Sequence, residues 1–582
     1  MLIRHSVPTA VRPTSHRVDD MPNLIDLPGQ AFAKIHQSVG QYLARGVSEL
    51  HYLRKIIESG TFRLENPLNY AAMAAEIAKW GEIGMLPSFN ARRTPDRAAI
   101  IDDAGELTYK ELDEAANAVA HGLLAKGVKG GDGVAILARN HRWFAIAEFG
   151  CARVGARIIL LNSSFSGPQI KEVSEREGAK LIIYDDEYSE DVSKADPPLG
   201  KLRALDINPD GEDSGSSDET LADLVAAHSR APAPKASKRS SIIILTSGTT
   251  GTPKGANRST PPTLAPIGGI LSHVPFKANE VTSLPAPMFH ALGFLHATIG
   301  MFLGSTLVLH SKFKPEQVFE DIEKHKVSAV VVVPVMLSRM LDALEKMDNK
   351  PDLSSLRIIF VSGSALGADV AERALKDIGP VVYNMYGSTE IAFATIAGPE
   401  HLKFNSTTAG PPVKGVKVRI YDDNGKELPQ GEVGRIFVGT SFPFEGYTGG
   451  GKKQIIDGLL SSGDVGYFDE RGLLYVSGRD DEMIVSGGEN VFPAEVEDCI
   501  SGHPDVLEAT AIGVEDKEWG HRLRAFVVKK GGADLDEDAV KKHVRDQLAK
   551  YKVPREVIFL DELPRNPTGK ILKRELREID AE

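Results

Sequence analysis

Cysteine is scarce in this sequence: its 582 residues include only two, Cys151 and Cys499. The two lie far apart in apolar surroundings, so neither a disulfide framework nor a thiolate metal site is expected, and a reducing cytoplasm fits. Basic residues are outnumbered by acidic ones, 68 to 80, which gives a net charge of −12. This excess of negative charge argues against a protein whose main partner is nucleic acid.

Long apolar runs are missing as well. The longest strongly apolar run, VSAVVVVPVML from Val327, falls far short of the roughly 20 residues of a membrane helix, so we predict a buried strand there. The first 20 residues have no continuous apolar core, which argues against a signal peptide. A cytoplasmic protein is therefore expected.

The N-terminal region carries a helical pattern. Within residues 28–60, Phe32, Ile35, Val39 and Tyr42 recur at helical spacing with basic side chains between them. We predict an amphipathic helix that packs against the rest of the protein; a peripheral membrane contact or a homodimer contact is the alternative.

After about residue 90, short β-rich runs alternate with helical ones, which predicts α/β layers with much parallel sheet. The last hundred residues have strand and helix signals of their own. We therefore predict an N-terminal extension (1–89), a large α/β domain with layered sheets (90–480) and a small α+β domain (481–582).

One loop has the chemistry of a phosphate site. LTSGTTGTPKG follows the apolar run SIIIL, which predicts a buried strand whose end carries the loop. Glycines let backbone amides approach phosphate oxygens, and hydroxyl groups and one lysine add donors. A Walker A loop is excluded, because Pro253 and Gly255 stand where the second glycine and the Ser or Thr belong. The candidate phosphate ligands are Thr246, Ser247, Gly248, Thr249, Thr250, Gly251 and Lys254.

Four motifs in order resemble one family. TSGTTGTPKG, NMYGSTE (384–390), SSGDVGYFDERGLLYVSGRDDEMIVSGGENVFPAEVE (461–497) and PRNPTGKILKREL (564–576) are similar to the adenylate-forming superfamily of acyl-CoA synthetases, luciferases and nonribosomal adenylation domains. The resemblance implies a reaction in which a carboxylate joins AMP with loss of pyrophosphate, and the acyl group then passes to a thiol. It also implies ATP, Mg²⁺ and CoA as cofactor and co-substrates, and a mobile small domain.

The resemblance assigns the nucleotide site residue by residue. Glu390 and Thr246 would serve Mg²⁺, Tyr386 would stack on adenine, and Asp464 with Arg479 would hold the ribose. Gly363, Ser364 and Ala365 would form a backbone strip against the other face of adenine, the adenine strip. The remaining ATP or AMP contacts that the resemblance implies are Asn384, Gly387, Ser388 and Thr389.

The same resemblance assigns the two chemical steps. Lys570 would be the catalytic lysine of the first step, and Asp481 the hinge about which the small domain rotates for the second. Gly487 and Gly488 would leave room for the pantetheine arm of CoA, and Trp519 would lie near the CoA nucleotide.

The acyl site is expected around PMFHALGF. His290 aligns with the family's aromatic-type residue beside the carboxylate and the thiol tunnel, and is a candidate catalytic residue. Phe294 falls where an aromatic gate to an acyl tunnel can stand; Phe294 could equally be a core residue. Apolar neighbours favour an aliphatic tail. We predict a medium- or long-chain fatty acyl-CoA synthetase, with a carrier-protein acyl-AMP ligase or a synthetase for an aryl or other acid as alternatives. A motor NTPase and an inactive scaffold fit the motifs less well.

Overall fold

A computed structural model describes residues 46–62, 67–205, 215–246, 254–258, 263–441, 444–448, 450–480, 482, 484–486, 489–516, 520–549, 552–566 and 569–579. Residues Tyr52–Glu582 form one compact unit, separate from Met1–His51. Phe32, Ile35, Val39 and Tyr42 of the predicted N-terminal helix lie outside the described residues.

The helices are α1 (46–58), α2 (Pro67–Gly84), α3 (Leu86–Arg93), α4 (Tyr109–Ala125), α5 (Arg142–Val154), α6 (Gly167–Arg176), α7 (Ser189–Val192), α8 (Leu221–Ala227), α9 (Ala265–Leu271), α10 (Ala291–Leu303), α11 (Pro315–His325), α12 (Pro334–Lys346), α13 (Ala368–Asp377), α14 (Pro399–Phe404), α15 (Pro493–Ser501), α16 (Glu537–Gln547) and α17 (Lys573–Arg577).

The strands are β1 (Ala98–Asp102), β2 (Gly105–Thr108), β3 (Gly133–Leu137), β4 (Arg157–Leu160), β5 (Ala179–Tyr184), β6 (Lys201–Arg203), β7 (Ser241–Thr246), β8 (Lys254–Arg258), β9 (Val281–Ser283), β10 (Thr306–Val308), β11 (Ala329–Val332), β12 (Ile358–Val361), β13 (Val382–Ser388), β14 (Ala392–Ala397), β15 (Lys417–Tyr421), β16 (Gly434–Gly439), β17 (Phe444–Tyr447), β18 (Ile455–Ile456), β19 (Leu459–Phe468), β20 (Leu474–Arg479), β21 (Ile484–Ser486), β22 (Glu489–Val491), β23 (Val506–Asp516), β24 (Gly520–Lys529) and β25 (Glu556–Phe559).

Two large sheets carry the parallel strands. The eight-stranded sheet has the order β14-β13-β12-β11-β9-β10-β1-β2. Its two outer strands are antiparallel to their neighbours: β14 to β13, and β2 to β1. The seven-stranded sheet has the order β17-β8-β7-β4-β3-β5-β6, in which β7, β4, β3, β5 and β6 are parallel. A sheet of β15, β16, β18, β19 and β20 is antiparallel, and the small C-terminal sheet joins β21 to β25.

The seven-stranded sheet is buried on both faces. In β3, Val134 and Ile136 belong to the main hydrophobic core, whereas Ala135 and Leu137 belong to a second cluster on the other side. Successive side chains of a strand point to opposite faces, so continuous apolar strands of this kind need cover on both. The layered α/β architecture predicted from the alternation of short runs is confirmed.

Local signals account for individual elements. Helix α4 begins with a capping box in which Thr108 Oγ1 accepts from Glu111 N at 3.2 Å and Thr108 N donates to Glu111 Oε2 at 2.8 Å. This exchange satisfies amides that the first helical turn leaves without partners. The predicted strand SIIIL is confirmed as β7.

The apolar run from Val327 is a strand only in its first half. Strand β11 ends at Val332, and α12 begins at Pro334. Proline suits the first helical position because the amide it lacks would have no helical partner there. In the described part of the chain, no helix combines the length and apolarity needed to cross a membrane.

Candidate active site

The candidate nucleotide residues gather at one edge of the eight-stranded sheet. Strands β11, β12 and β13 are parallel neighbours, so their carboxyl ends meet at the same edge. Gly363, Ser364 and Ala365 follow β12 and are exposed, and Asn384 in β13 lies opposite Val361 of β12. The structure thus brings the predicted adenine strip and the NMYGSTE motif together.

Glu390 stands in the tight turn between β13 and β14. The two strands pair antiparallel from Asn384 to Ser388, so Thr389, Glu390 and Ile391 form the connection. Gly387 is required beside this turn, since a Cβ there would lie 2.0 Å from the carbonyl oxygen of the facing strand. The hairpin therefore holds a carboxylate at the end of the strand that carries the motif.

Both oxygens of Glu390 accept hydrogen bonds. Ser388 Oγ donates to Oε2 at 2.8 Å, and Tyr447 Oη donates to Oε1 at 2.7 Å. Burial opposes ionisation of the carboxyl group. The Tyr447 hydrogen bond, the positive charge of Lys453 and Ser388 outweigh that effect and hold the pKa of Glu390 below its usual value. Glu390 is therefore a preorganised anion.

A second carboxylate lies on the neighbouring antiparallel sheet. Asp464 of β19 is paired in register with Arg479 of β20, and Arg479 NH1 lies 3.3 Å from Asp464 Oδ1. Tyr386 Oη donates to Asp464 Oδ2 at 2.6 Å. Burial and the nearby Asp464 charge raise the pKa of Tyr386 well above its usual value. The predicted adenine residue and the predicted ribose carboxylate are thus directly connected.

The turn that carries Lys570 reaches the same sheet edge. A Cβ on Gly569 would lie 3.3 Å from Val333 Cγ2 and 2.4 Å from Val335 Cγ1, at the start of α12. Val333 Cγ1 in turn would lie 3.3 Å from a Cβ on Gly363. The exposed Lys570 follows Gly569 directly, so the small domain presents this lysine beside the predicted adenine strip.

The predicted phosphate loop joins two antiparallel strands. Thr246 of β7 pairs with Lys254 of β8, and Lys254 Nζ lies 5.7 Å from the centre of the Tyr447 ring. Ser247, Gly248, Thr249, Thr250 and Gly251 lie outside the described residues.

Strand β17 ties this hairpin to the rest of the large domain. Thr448, directly after β17, accepts from Gly255 N at 3.2 Å and donates to Glu177 Oε1 at 2.6 Å. Since Tyr447 precedes Thr448, one short segment contacts both the strand after the phosphate loop and the Glu390 carboxylate.

The predicted acyl residues stand at the start of α10. His290 is the N-cap residue of this helix, and Asn162 Nδ2 lies 3.5 Å from its Nε2. Burial lowers the pKa of His290 to about 4, so the ring is neutral at pH 7. Phe289 contacts the ring at 4.5 Å between centroids, and Phe294, one turn into the helix, packs partly buried against the main core.

The predicted hinge position lies between two ion-paired neighbours. Asp480 Oδ2 lies 3.0 Å from Arg435 Nε of the large domain, and Glu482 Oε2 lies 2.7 Å from Lys573 Nζ of the small domain. Asp481 itself, the CoA candidates Gly487 and Gly488, and Trp519 lie outside the described residues.

The donor set around Glu390 fits Mg²⁺. Among the described residues, no group of three or more His, Cys, Asp or Glu side chains forms a metal site. Mg²⁺ usually binds one or two carboxylates, water and substrate phosphates rather than a cage of protein ligands. A single anionic Glu390, linked through Tyr447 to the β7–β8 hairpin that carries the predicted phosphate loop, meets that requirement. The side chain of Thr246 is not described.

Three residues of this site were not predicted from sequence: Tyr447, Thr448 and Lys453. They belong to the glycine-rich stretch FEGYTGGGKK, which lies outside the four family motifs. An aromatic residue among closely spaced glycines could have indicated a position that approaches a ligand closely.

Known proteins resemble this chain over most of its length. A family model described as AMP-binding enzyme matches residues 88–448, and one for the AMP-binding enzyme C-terminal domain matches residues 495–570. The fatty acid–acyl-carrier-protein ligase ScoC of Streptomyces coeruleorubidus is 32% identical over 517 residues, 84% of this chain and 95% of the relative. A feruloyl-CoA synthase of Amycolatopsis is 34% identical over 506 residues, 85% of this chain and 98% of the relative.

A solved structure matches over the same range. The o-succinylbenzoate-CoA synthetase MenE of Bacillus subtilis, in complex with the acyl-adenylate intermediate OSB-AMP, superposes with a TM-score of 0.73. The two are 27% identical, and the match covers 85% of this chain and 98% of that one.

Proposed function

This chain belongs to the AMP-binding enzyme family of ATP-dependent, AMP-forming ligases, and we propose that it is a fatty acyl-CoA synthetase. Its substrate would be a medium- or long-chain fatty acid, which it activates as acyl-AMP and transfers to CoA. The preference for an apolar acid is supported by one observation above all, the environment of His290.

The segment around His290 is predominantly apolar. His290 is neutral at pH 7 because burial lowers its pKa to about 4. Its neighbours in sequence and space, Phe289, Leu292 and Phe294, are buried or partly buried apolar groups. A charged or amino-bearing acyl chain would lose hydration beside these apolar side chains, whereas an aliphatic chain gains from burial.

In the first step, a carboxylate oxygen attacks the α-phosphorus of ATP, and pyrophosphate leaves. Two unit charges 4 Å apart repel by about 4 kcal/mol at an effective dielectric constant of 20, so fixed cations are needed at this point. Lys570, on the turn that contacts Val333 and Val335, would supply one. Asp464 and Arg479 would hold the ribose and so keep the α-phosphate in position for the attack.

Mg²⁺ would be held by Glu390 and by ATP phosphate oxygens. When bound, it would neutralise phosphate charge. Tyr447 and Ser388 orient the Glu390 carboxylate toward that position.

In the second step, the CoA sulfur attacks the acyl carbonyl carbon and AMP leaves with the former carboxylate oxygen. The thiol must reach the carbon from the side that Lys570 occupies, so the small domain would rotate about Asp481. Ion pairs on either side of this position support such a pivot, since they anchor Asp480 to the large domain and Glu482 to the small one. Gly487, Gly488 and Trp519 remain the proposed CoA contacts.

There are two second candidates: an aryl acid as substrate, or a carrier protein as acceptor. Each is a substrate for which one of the relatives is named. Identity of 34% to a feruloyl-CoA synthase favours an aryl acid. Identity of 32% to a fatty acid–acyl-carrier-protein ligase favours a carrier protein in place of CoA.

The test is AMP release by the purified full chain with ATP, Mg²⁺ and saturated acids of increasing length, alongside ferulate and cinnamate, each with and without CoA. CoA-dependent turnover that peaks at one aliphatic length supports the proposal. Preference for the aryl acids, or adenylate that CoA cannot discharge, would replace it with the corresponding second candidate.

A further inference from the structure

We propose that Lys453 contacts the α-phosphate of the bound nucleotide, which makes it a further nucleotide-binding residue. The inference rests on the proposed function only in that the site binds a nucleoside 5′-phosphate. It does not depend on which acid is activated.

Lys453 lies beside the turn that carries Asp464. Its Nζ donates to Ser462 O at 2.6 Å, two residues before Asp464. A Cβ at Gly463 would lie 3.1 Å from Lys453 Nζ and 3.4 Å from Arg479 NH2. The two cations therefore face the same side of this turn.

The chain segment that carries Lys453 also reaches Glu390. Tyr447, shortly before Lys453 in the sequence, donates to Glu390 Oε1 at 2.7 Å, and the charge of Lys453 contributes to the low pKa of Glu390 after burial and that hydrogen bond. Lys453 is thus beside the pair proposed to hold the ribose, on the segment that contacts the proposed Mg²⁺ carboxylate. In ATP, the group between the ribose and the phosphates that take Mg²⁺ is the α-phosphate.

The chain reaches this position through a glycine turn. Gly450 and Gly451 have φ values of 84° and 100°, which glycine adopts readily. Gly450 N donates to Tyr447 O at 2.9 Å, and Tyr447 N donates to Gly451 O at 3.3 Å. The turn reverses the chain, so Lys453 follows shortly after Tyr447, the residue that donates to Glu390.

The charge balance also favours an anion beside Lys453. An ammonium group has three donors, and within the described residues Ser462 O is its one hydrogen-bond acceptor. Arg479 is balanced by Asp464, whereas no carboxylate in the described part of the chain forms an ion pair with Lys453. A phosphate oxygen would supply both the acceptor and the charge.

The alternative role for Lys453 is to hold the turn before Asp464 through Ser462 O. Isothermal titration of AMP and of adenosine into the full chain separates the two, because adenosine lacks the phosphate. The variant is Lys453→Met, which keeps the length of the side chain and removes the charge. Lys452→Met is the matched control, since Lys452 is the adjacent exposed lysine.

Lys453→Met is expected to weaken AMP binding at least tenfold and to leave adenosine binding and the thermal midpoint unchanged, whereas Lys452→Met changes neither affinity. Equal weakening of AMP and adenosine would assign Lys453 to the turn, and unchanged AMP affinity would remove it from the site; either result overturns the inference. If the wild-type chain bound neither ligand, the proposed function itself would fail.

Discussion

Tyr447 Oη donates a 2.7 Å hydrogen bond to Glu390 Oε1 across 57 positions of the chain. Tyr447 is held in place by β17, which pairs with the strand after the phosphate loop. The hydrogen bond therefore links the proposed Mg²⁺ carboxylate to the proposed phosphate site. No motif identified Tyr447 in the sequence.

Removal of that hydroxyl group should impair nucleotide use. A hydrogen bond to a charged group contributes about 1.5–3 kcal/mol, so Tyr447→Phe should lower kcat/KM for ATP by about tenfold to a hundredfold and raise the Mg²⁺ concentration for half-maximal rate. ATP–pyrophosphate exchange at varied Mg²⁺ measures both. Tyr421→Phe is the control, because Tyr421 Oη also donates to a carboxylate, that of Asp457, at 3.0 Å. Equal effects of the two variants would contradict the role of Tyr447.

Loss of Lys570 should separate the two half-reactions. Lys570→Ala removes the cation proposed for the first step only, so acyl-AMP formation should be abolished while supplied acyl-AMP and CoA still give acyl-CoA. Lys542→Ala, on the exposed side of α16 in the same domain, should leave both rates unchanged. A similar loss in both half-reactions for Lys570→Ala would refute the proposal that Lys570 acts only in the first.

The contact between Gly569 and Val335 should be needed for acyl-AMP formation. A Cβ at Gly569 would lie 2.4 Å from Val335 Cγ1, and Gly569 has a φ of 77°. Gly569→Ala should therefore push the Lys570 turn away from the sheet edge and slow the first half-reaction. The double variant with Val335→Ala should recover part of the rate, because it removes the methyl group that collides. Absence of any recovery would indicate that backbone strain alone explains the loss.

Restriction of the hinge should have the opposite effect to loss of Lys570. Proline fixes φ near −65°, so Asp481→Pro should keep acyl-AMP formation and lose transfer to CoA. Asp481→Ala removes the same carboxylate without fixing φ and should keep both half-reactions. A normal overall rate for Asp481→Pro would count against rotation at this position.

Buried histidines should make stability depend on pH. Burial lowers the pKa of His296 to about 4 despite its hydrogen bond with Leu292 O, against about 6.5 in an unfolded chain. Between those values the unfolded state binds more protons, so the free energy of unfolding falls as pH falls from about 6.5 to about 4, and the stabilisation is fully present above that window.

The matching variant is His296→Phe, which keeps a ring beside Phe276 and Phe360. Urea unfolding at pH 7, 6 and 5 measures how the free energy of unfolding changes with pH. For this variant the change should be smaller than for the wild type by up to about 1.4 kcal/mol per pH unit. His521→Phe, at an exposed position, is the control. An unchanged slope for His296→Phe would mean that the ring does not titrate in this window.

Local patterns in the sequence were sufficient for much of the fold. The apolar run SIIIL predicted β7, and the alternation of short β-rich and helical runs predicted the layered α/β fold, because apolar content and spacing decide these features locally. The strand predicted from Val327 was wrong in its second half, because continuous apolar composition does not distinguish a strand from a buried helix. Pro334 was the signal for the helix start.

The candidate site likewise contains residues that the sequence predicted and residues that it did not. Glu390, Asp464 and Arg479 were found because each belongs to a motif, and the pairing of Asp464 with Arg479 follows from a short hairpin. Tyr447 comes near Glu390 through the pairing of β17 with β8, which lies nearly two hundred positions earlier in the chain. No local pattern encodes such a contact.

Isotope transfer from the acid is the most direct test of acyl-AMP formation at this site. The full chain would be given ATP, Mg²⁺, CoA and its best acid labelled with ¹⁸O in both carboxylate oxygens, and the AMP would be analysed by mass spectrometry. Attack of the carboxylate on the α-phosphorus predicts one ¹⁸O in every AMP released. Unlabelled AMP, or ¹⁸O in the pyrophosphate or in phosphate, would contradict formation of an acyl-adenylate.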